Sequence, residues 1–597
     1  MKILFAVPPY HSVNYQVPNG VGIVATVTKN AGFDVQVLLA NINERIIDYH
    51  NRVRDVVVQQ KIDIVALGGQ SPCYTHIKQL IHTVKEVGAT TILGGTIVDS
   101  SPITVPKNIG ADYCVYGEGE FTFLELMNCL KSGDINGVSG IKGLIYLQNG
   151  ELITSPPREC IADLDALPFV DPELCHLDVG LKIKPELIMM ASRSCNYNCT
   201  FCYRLKGSSY RTKSLDYFFR ELDFYIDKYK NKIESLLIMD YMFNKDQDRI
   251  KEFCRRIKPY NLPFRLQTRV DSVDEQIILD LKHAGAHTIA YGLESASNKV
   301  LKSMRKRYTI EKALNIIQFT KMQGMNVLAN IIIGDIEDDM DTVSESEAFY
   351  LKYANSLDLF IDLIRVFPGT HLFGYALTNG IIKSELEFLE AGCPYVNVSK
   401  LPDDVYELLA DKYKAFYSAT AMITRRPLEK SSLELEVESD GVMKYTSYCP
   451  KCLGKNTVLI EDHPPQVNCV HCTQLIDIFR GRLFEGIDKS LYKFRIESCL
   501  KDLNDARIVI WGLTPQIRQF LIASSLLRRL LVKIVDLNFD KFRFEKYCGL
   551  RIERPEMLRD IEFDYVITGT VEKRHEVTKA LEDMGKVASY IEIASVQ

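Results

Sequence analysis

Three cysteines, Cys195, Cys199 and Cys202, fall within eight residues of one another in the stretch SCNYNCTFCY. Thiolates are soft ligands that select zinc, copper(I) or iron–sulfur clusters. A structural zinc needs a fourth donor, and no histidine stands near these three in the sequence. A cubane of four irons takes four cysteines when closed, so three leave one iron open to another ligand. A second group, Cys449, Cys452, Cys469 and Cys472, makes two Cys-x2-Cys knuckles separated by sixteen residues. That is the spacing of a zinc ribbon, whose four thiolates close a tetrahedral, structural site; a second iron–sulfur cluster is the alternative for the same four.

The elements that must position these groups belong to a chain of 597 residues, too long for one hydrophobic core. Its 72 basic and 77 acidic residues leave a net charge of -5, which provides no global field for nucleic acid or anionic membrane. No apolar run reaches the roughly 18 residues of a membrane span, and the short apolar start is stopped by two prolines. The expectation is a cytoplasmic protein with reduced thiols, so that clustered cysteines mean metal and scattered ones packing.

Residues 1–140 alternate short β-rich runs (KILFAV, DVQVLLA, IDIVALGG, TTILGG, DYCVYG) with helical patterns, which predicts an open, mostly parallel α/β sheet. Gly68, Gly69, Gly94, Gly95 and the GEGE run that starts at Gly117 follow strand ends, where such sheets bind ligands. Residues 141–180 read as a polar linker. Six further strand and helix repeats over 181–425 (ELIMMAS, SLLIMD, PFRLQTR, HTIAYGLE, NVLANIIIGD, DLFIDLIRVFPGT) fit a partial (β/α)6 barrel, with functional groups at the carboxyl ends of the strands. The three-cysteine stretch follows the first. A helical segment, Asp403 to Ile423, closes the barrel; the zinc ribbon spans 440–480, and a small Rossmann-like unit 500–597.

The Cys-x3-Cys-x2-Cys spacing, with aromatic Phe201 before the last cysteine, closely resembles the radical S-adenosylmethionine (SAM) superfamily. The resemblance implies a [4Fe-4S] cluster on Cys195, Cys199 and Cys202 whose open iron binds SAM and whose electron cleaves it. Other strand ends match the superfamily in order. MDYMF carries Asp240 near the expected SAM amino group, QTRVD carries Arg269 as a fork for a carboxylate, and YGLESAS carries Glu294 for the ribose hydroxyls. NIIIGDIEDD carries Gly334, although Ile336 and Glu337 replace the family's proline and glycine there, and FPGTHLF resembles the sixth-strand Pro-Gly-Thr turn.

The first domain, through VPNGVGIVATVTKNAGFDVQVL, LGGTIVDSSP, DYCVYGEGE and IADLDALPFVD, resembles the cobalamin-binding domain that precedes many such barrels. Gly68, Gly69, Gly94, Gly95 and Gly117 are then the implied backbone contacts to the corrin, since close approach of a flat macrocycle favours residues without side chains. No Asp-x-His-x-x-Gly stands in the sequence to supply an axial histidine, and His11 and His76 are read as surface or packing residues. The last domain resembles Rossmann-like units of carbohydrate-modifying methyltransferases. Its IWGLTPQIRQF turn keeps only Gly512 of the dinucleotide fingerprint, with Thr514 and Pro515 where glycine is needed, and Asp536 ends its second strand. It reads as a degenerate binding or docking unit.

Together these features imply a cobalamin-dependent radical SAM enzyme that methylates an unactivated carbon of a small-molecule or carbohydrate-linked substrate. A reductant such as flavodoxin or ferredoxin would feed it. The alternatives are a radical SAM cyclase or rearrangement enzyme with the first domain as scaffold, and a non-catalytic B12- or metal-binding interaction module. A transfer-RNA methylthiolating enzyme fits less well, because Cys73, Cys114 and Cys129 show no cluster pattern and no basic tail follows.

Overall fold

The computed structural model describes residues 1–9, 17–41, 44–134, 136–205, 207–243, 246–353, 357–407, 409–410 and 413. Beyond these it describes 433–437, 443–448, 455–460, 466–468, 475–477, 500, 503, 506–512, 527, 530–536, 546–547, 550–568, 574–587 and 589–590. The chain divides into two compact units, Met1–Tyr406 and Glu407–Gln597.

In the first unit, β1 (Lys2–Val7), β2 (Asp34–Leu39), β3 (Ile64–Gly68), β4 (Thr90–Gly94) and β5 (Tyr113–Val115) pair in parallel in the order β2-β1-β3-β4-β5. Their residues are apolar almost without interruption because helices cover both faces. Tyr49, Tyr74, Ile77 and Leu80 are buried on one side, and Ala25, Phe123 and Leu126 on the other. Chain order reverses at β1, and ligands of such sheets bind outside the carboxyl ends of the strands.

The sheet does not stop at residue 140. β6 (Leu144–Gln148) and β7 (Glu151–Thr154) add to β5 as an antiparallel hairpin, so the 141–180 linker is corrected: its first part belongs to the domain. Asn149 and Gly150 both take positive φ, 52° and 83°, as the tight turn between twisted strands demands.

The second half of this unit is a six-stranded parallel sheet in the order β15-β14-β13-β12-β11-β8, from β8 (Glu186–Met189), β11 (Ser235–Ile238), β12 (Phe264–Thr268), β13 (Ala286–Glu294), β14 (Asn326–Ile333) and β15 (Asp358–Leu363). These are the six runs expected from the sequence, in their expected order. Ile289, Tyr291 and Leu293 of β13 are buried, while the alternate residues Ala290, Gly292 and Glu294 are half-exposed on the other face. The short antiparallel pair β9 (Ser192–Arg193) and β10 (Arg211–Thr212) brackets the loop that carries the three cysteines.

In the second unit, residues 433–437, 443–448 and 455–460 form an antiparallel sheet, and 466–468 pairs with 475–477. The four knuckle cysteines lie outside the described residues, but the strands flanking each pair meet: Tyr448 opposes Lys455 and Asn468 opposes Leu475. A last sheet runs in the order 546–547, 550–553, 531–535, 508–511, 565–568, 589–590, parallel except at its first pair. It has a buried cluster around Ile508 and Ile534 and another around Val509 and Val535, so both faces are covered, as in a Rossmann-like unit. Gly512 takes φ 89°, and its N–H donates to Val535. Thr514 and Pro515 lie outside the described residues, as do His11 and most of the segment from Asp403 to Ile423; its residues 403–407 are helical.

Candidate active site

The cysteine loop begins where Ser194 takes a left-handed φ of 65°, which turns the chain off β9. Cys202 N–H bonds back to Cys199 O at 3.3 Å, and Thr200 O accepts from Leu372 N at 3.1 Å. The latter contact brings in the sixth-strand turn. Gly369 there takes φ 79°, and a Cβ on it would lie 2.8 Å from the Tyr203 ring and 3.1 Å from Ser100 Cα. The glycine therefore lets the turn sit between the cysteine loop and the amino-terminal domain.

None of the three cysteines is in a disulfide. Among the described residues no three His, Cys, Asp or Glu side chains converge on one ion. A cubane asks for something else: each thiolate binds its own iron, so three cysteines of a short loop suffice and one iron stays open. The donor set fits that group.

Arg269, at the end of β12, has its guanidinium fork on Asp271 (Nε to Oδ1 2.8 Å, Nη2 to Oδ2 3.0 Å), bonds to Lys306 O, and lies 3.6 Å from the centre of the Tyr197 ring. Its Nη1 donates to Cys199 Sγ at 3.6 Å. The fork expected to take a ligand carboxylate is thus filled by the chain's own Asp271, and the arginine faces the cysteine instead. Asp240 is also turned inward: its Oδ1 accepts from Ala191 N and Ser192 N at 2.8 and 3.1 Å, fixing the strand end before the loop. Burial pushes its carboxyl up to about 6. Gly334 takes φ 105° and its N–H donates to Asp338, which also accepts from Asp335 N; this Asp-held turn replaces the proline and glycine of the superfamily.

Glu294 does face the site side of β13. It takes a left-handed φ of 70°, and its Oε1 accepts from Lys306 Nζ at 2.8 Å. Lys306 also lies 5.4 Å from the centre of the Phe201 ring, which packs against a buried cluster drawn from both halves of the unit. Nothing in the sequence marked Lys306, one cation in a run of three.

Two glutamates of the amino-terminal domain complete the frame. Arg193 and Arg211 are directly opposed across β9 and β10, an arrangement that repels unless neutralised. Glu118 accepts from both, at 3.1 Å from Arg193 and 2.9 Å from Arg211, and Glu120 accepts from Arg193 at 2.6 Å. Burial opposes the charge on Glu118, but the Arg211 and Arg193 guanidiniums hold its carboxyl below the usual range. The GEGE run thus contributes its glutamates as well as its glycines.

At the sheet edge above this clamp, Gly68 and Gly94 pair in register. Gly95 takes φ 85° and a Cβ on it would sit 3.3 Å from Gly69 N and O, so the two loops pack backbone to backbone. Gly117, at φ 84°, faces open space and donates its N–H to Asp99 at 2.6 Å. Such a bare edge suits a flat macrocycle. His76 lies on the helix Tyr74–Glu86 beside buried His50, whose imidazole burial and His76 push down to about 4.

Family models match two parts of the chain, the Radical SAM superfamily over residues 189–345 and the B12 binding domain over 11–127. The chain joins a B12 binding domain to a radical SAM domain. It is 27% identical over 402 residues to an uncharacterized methyltransferase of Pyrococcus horikoshii, covering 64% of this chain and 84% of that one. Among solved structures it resembles the cobalamin-dependent SAM radical enzyme OxsB with aqua-cobalamin and SAM bound (TM-score 0.58, 18% identity, 72% of this chain and 69% of that one). It also resembles the radical SAM methyltransferase TsrM of Kitasatospora setae with cobalamin and a [4Fe-4S] cluster bound (TM-score 0.51, 16% identity, 64% and 76%). At these identities the structural likeness speaks for the fold, and the radical SAM and B12 binding domains carry the three-cysteine loop and the glycine edge respectively. No helix among the described residues is long and apolar enough to cross a membrane.

Proposed function

We propose that the protein is a cobalamin-dependent radical SAM enzyme, most simply a methyltransferase acting on a carbon of a small or carbohydrate-linked metabolite in the cytoplasm. The observation that carries the reading is the clamp of Glu118 and Glu120 on Arg193 and Arg211, which fastens the cysteine loop to the bare glycine edge of the B12 binding domain. When bound, the cluster supplies the electron that splits SAM and the cobalamin supplies a methyl group.

Cys195, Cys199 and Cys202 would hold the cluster, and Gly68, Gly69, Gly94, Gly95 and Gly117 would line the corrin. Phe201 and Glu294 would meet SAM; the Lys306 bond to one Glu294 oxygen, which leaves the second free to accept from ribose hydroxyls, supports that reading. Asp240, Arg269 and Gly334 act one step back, by holding the strand ends and the cysteine that the ligands meet. The methyltransferase reading takes support from the Pyrococcus relative, whose own description is that of a methyltransferase. Cys449, Cys452, Cys469 and Cys472 would bind zinc, and the paired strands on either side of each knuckle support a ribbon.

The test is anaerobic purification of the full chain after iron–sulfur and cobalamin supply, with iron, cobalt and zinc counted together and SAM cleavage followed under dithionite. Wild type should bind a cubane and cobalt and release 5'-deoxyadenosine, and Cys199→Ala should do neither the iron binding nor the cleavage. Cleavage without cobalt would remove the methyltransferase reading, and iron-free wild type would remove the enzyme.

A further inference from the structure

Lys302, Arg305 and Arg307 are exposed and line one surface recess with Asn298, Tyr308 and Thr309. Neighbouring Lys299 is neutralised by Asp339 at 2.6 Å and Glu337 at 3.7 Å. None of the three recess cations has an ion pair with a described residue. In a chain whose net charge is -5, this is a local concentration of unbalanced positive charge. Asn298 of the recess donates to Glu311 at 3.2 Å.

The recess segment is linked to the cysteine loop through Lys306 and Arg269. Arg305 and Arg307 take left-handed φ of 60° and 61°, so the residue between them, Lys306, points the other way, buried against Glu294 and Phe201. The Lys306 carbonyl accepts from Arg269, whose Nη1 donates to Cys199 Sγ. One arginine side chain therefore spans from the segment bearing the cations to a cysteine of the loop.

We infer that this basic recess is the docking surface for an acidic one-electron donor protein that reduces the cluster. The inference rests on the reading of Cys195, Cys199 and Cys202 as cluster ligands. In the docked complex the donor's reduced flavin or iron–sulfur group loses one electron and the oxidised cluster gains it; no bond is made or broken in that step. Opposite charge brings the partner to the recess, and the Lys306–Arg269–Cys199 contact keeps the path short.

The experiment follows cluster reduction by stopped-flow absorbance in the reconstituted full chain, with reduced flavodoxin as the probe and dithionite as the small-molecule control. Two variants are compared with wild type. The first is the charge reversal Lys302→Glu, Arg305→Glu, Arg307→Glu. The second is Arg305→Gly, Arg307→Gly, which removes charge while suiting the left-handed backbone. At low salt both should slow reduction by flavodoxin, the reversal by roughly tenfold or more, and should flatten its salt dependence, with the dithionite rate unchanged. Equal flavodoxin rates in wild type and the reversal variant would overturn the docking surface. So would an equal loss with dithionite, which would assign the recess to a small anionic ligand. A wild type that binds no iron and is not bleached by dithionite would instead sink the cluster reading itself.

Discussion

Arg269 and Asp271 form an ion pair with side chains only 7% and 11% exposed, and the arginine's Nη1 donates to Cys199 Sγ. Two consequences separate cleanly. Arg269→Gln leaves a buried carboxylate without its partner, which should cost roughly 3–5 kcal/mol in denaturant unfolding. On the proposed assignment of Cys199 as a cluster ligand, the same change in the reconstituted protein removes a charged hydrogen bond to that sulfur, so the reduction potential should fall in a potentiometric EPR titration, since such bonds favour the more negative reduced state. Asp99 supplies a pH prediction. Burial raises its carboxyl from 3.8 to about 7, against the opposing bond from Gly117 N–H. The folded state then keeps the proton that the unfolded chain has lost, so this group's contribution is full below 3.8 and is lost as pH rises to about 7. Asp99→Asn keeps an acceptor for Gly117 and cannot ionise. Its Tm should therefore gain on wild type between about pH 5 and pH 8 in thermal scans of the metal-free chain.

At the scale of elements, the clamp between the helix Gly119–Ser132 and the β9–β10 pair is the junction on which the site depends. Glu118 is 10% exposed and meets two arginines that face each other, so Glu118→Gln should destabilise this unit by roughly 3–5 kcal/mol and make the cysteine loop easier to proteolyse. The parallel strands were legible in two ways: IVALG is apolar throughout because its sheet is covered on both faces, and NVLANIII alternates, with Val327, Ala329, Ile331 and Ile333 buried on one face. The β6–β7 hairpin was not legible, because the Asn149-Gly150 turn stands in a polar, glycine- and proline-punctuated stretch that reads as a linker. The Gly334 turn was not, because Asp338 supplies through its side chain what a proline and glycine supply through backbone preference.

For the whole molecule, the two cysteine clusters of the sequence fall in separate compact units, the triad before Tyr406 and the knuckles after Glu407. Cys449→Ser or Cys469→Ser should remove about one zinc per chain while leaving iron content at the barrel unchanged, as read by elemental analysis of one preparation. A parallel fall in iron would argue that the four cysteines hold a second cluster. What the sequence determined by itself was everything written in local spacing: the cysteine triad and knuckles, the order of the strands, and the glycines at their ends. Those features follow from the ligand chemistry and backbone geometry of residues close in the chain. The partners of Arg269, Arg193 and Arg211 were decided only by the tertiary structure. A charged side chain meets whatever carboxylate or sulfur the packing brings within about 3–4 Å, and packing joined Glu118 to Arg211 and Arg269 to Cys199 across long stretches of chain.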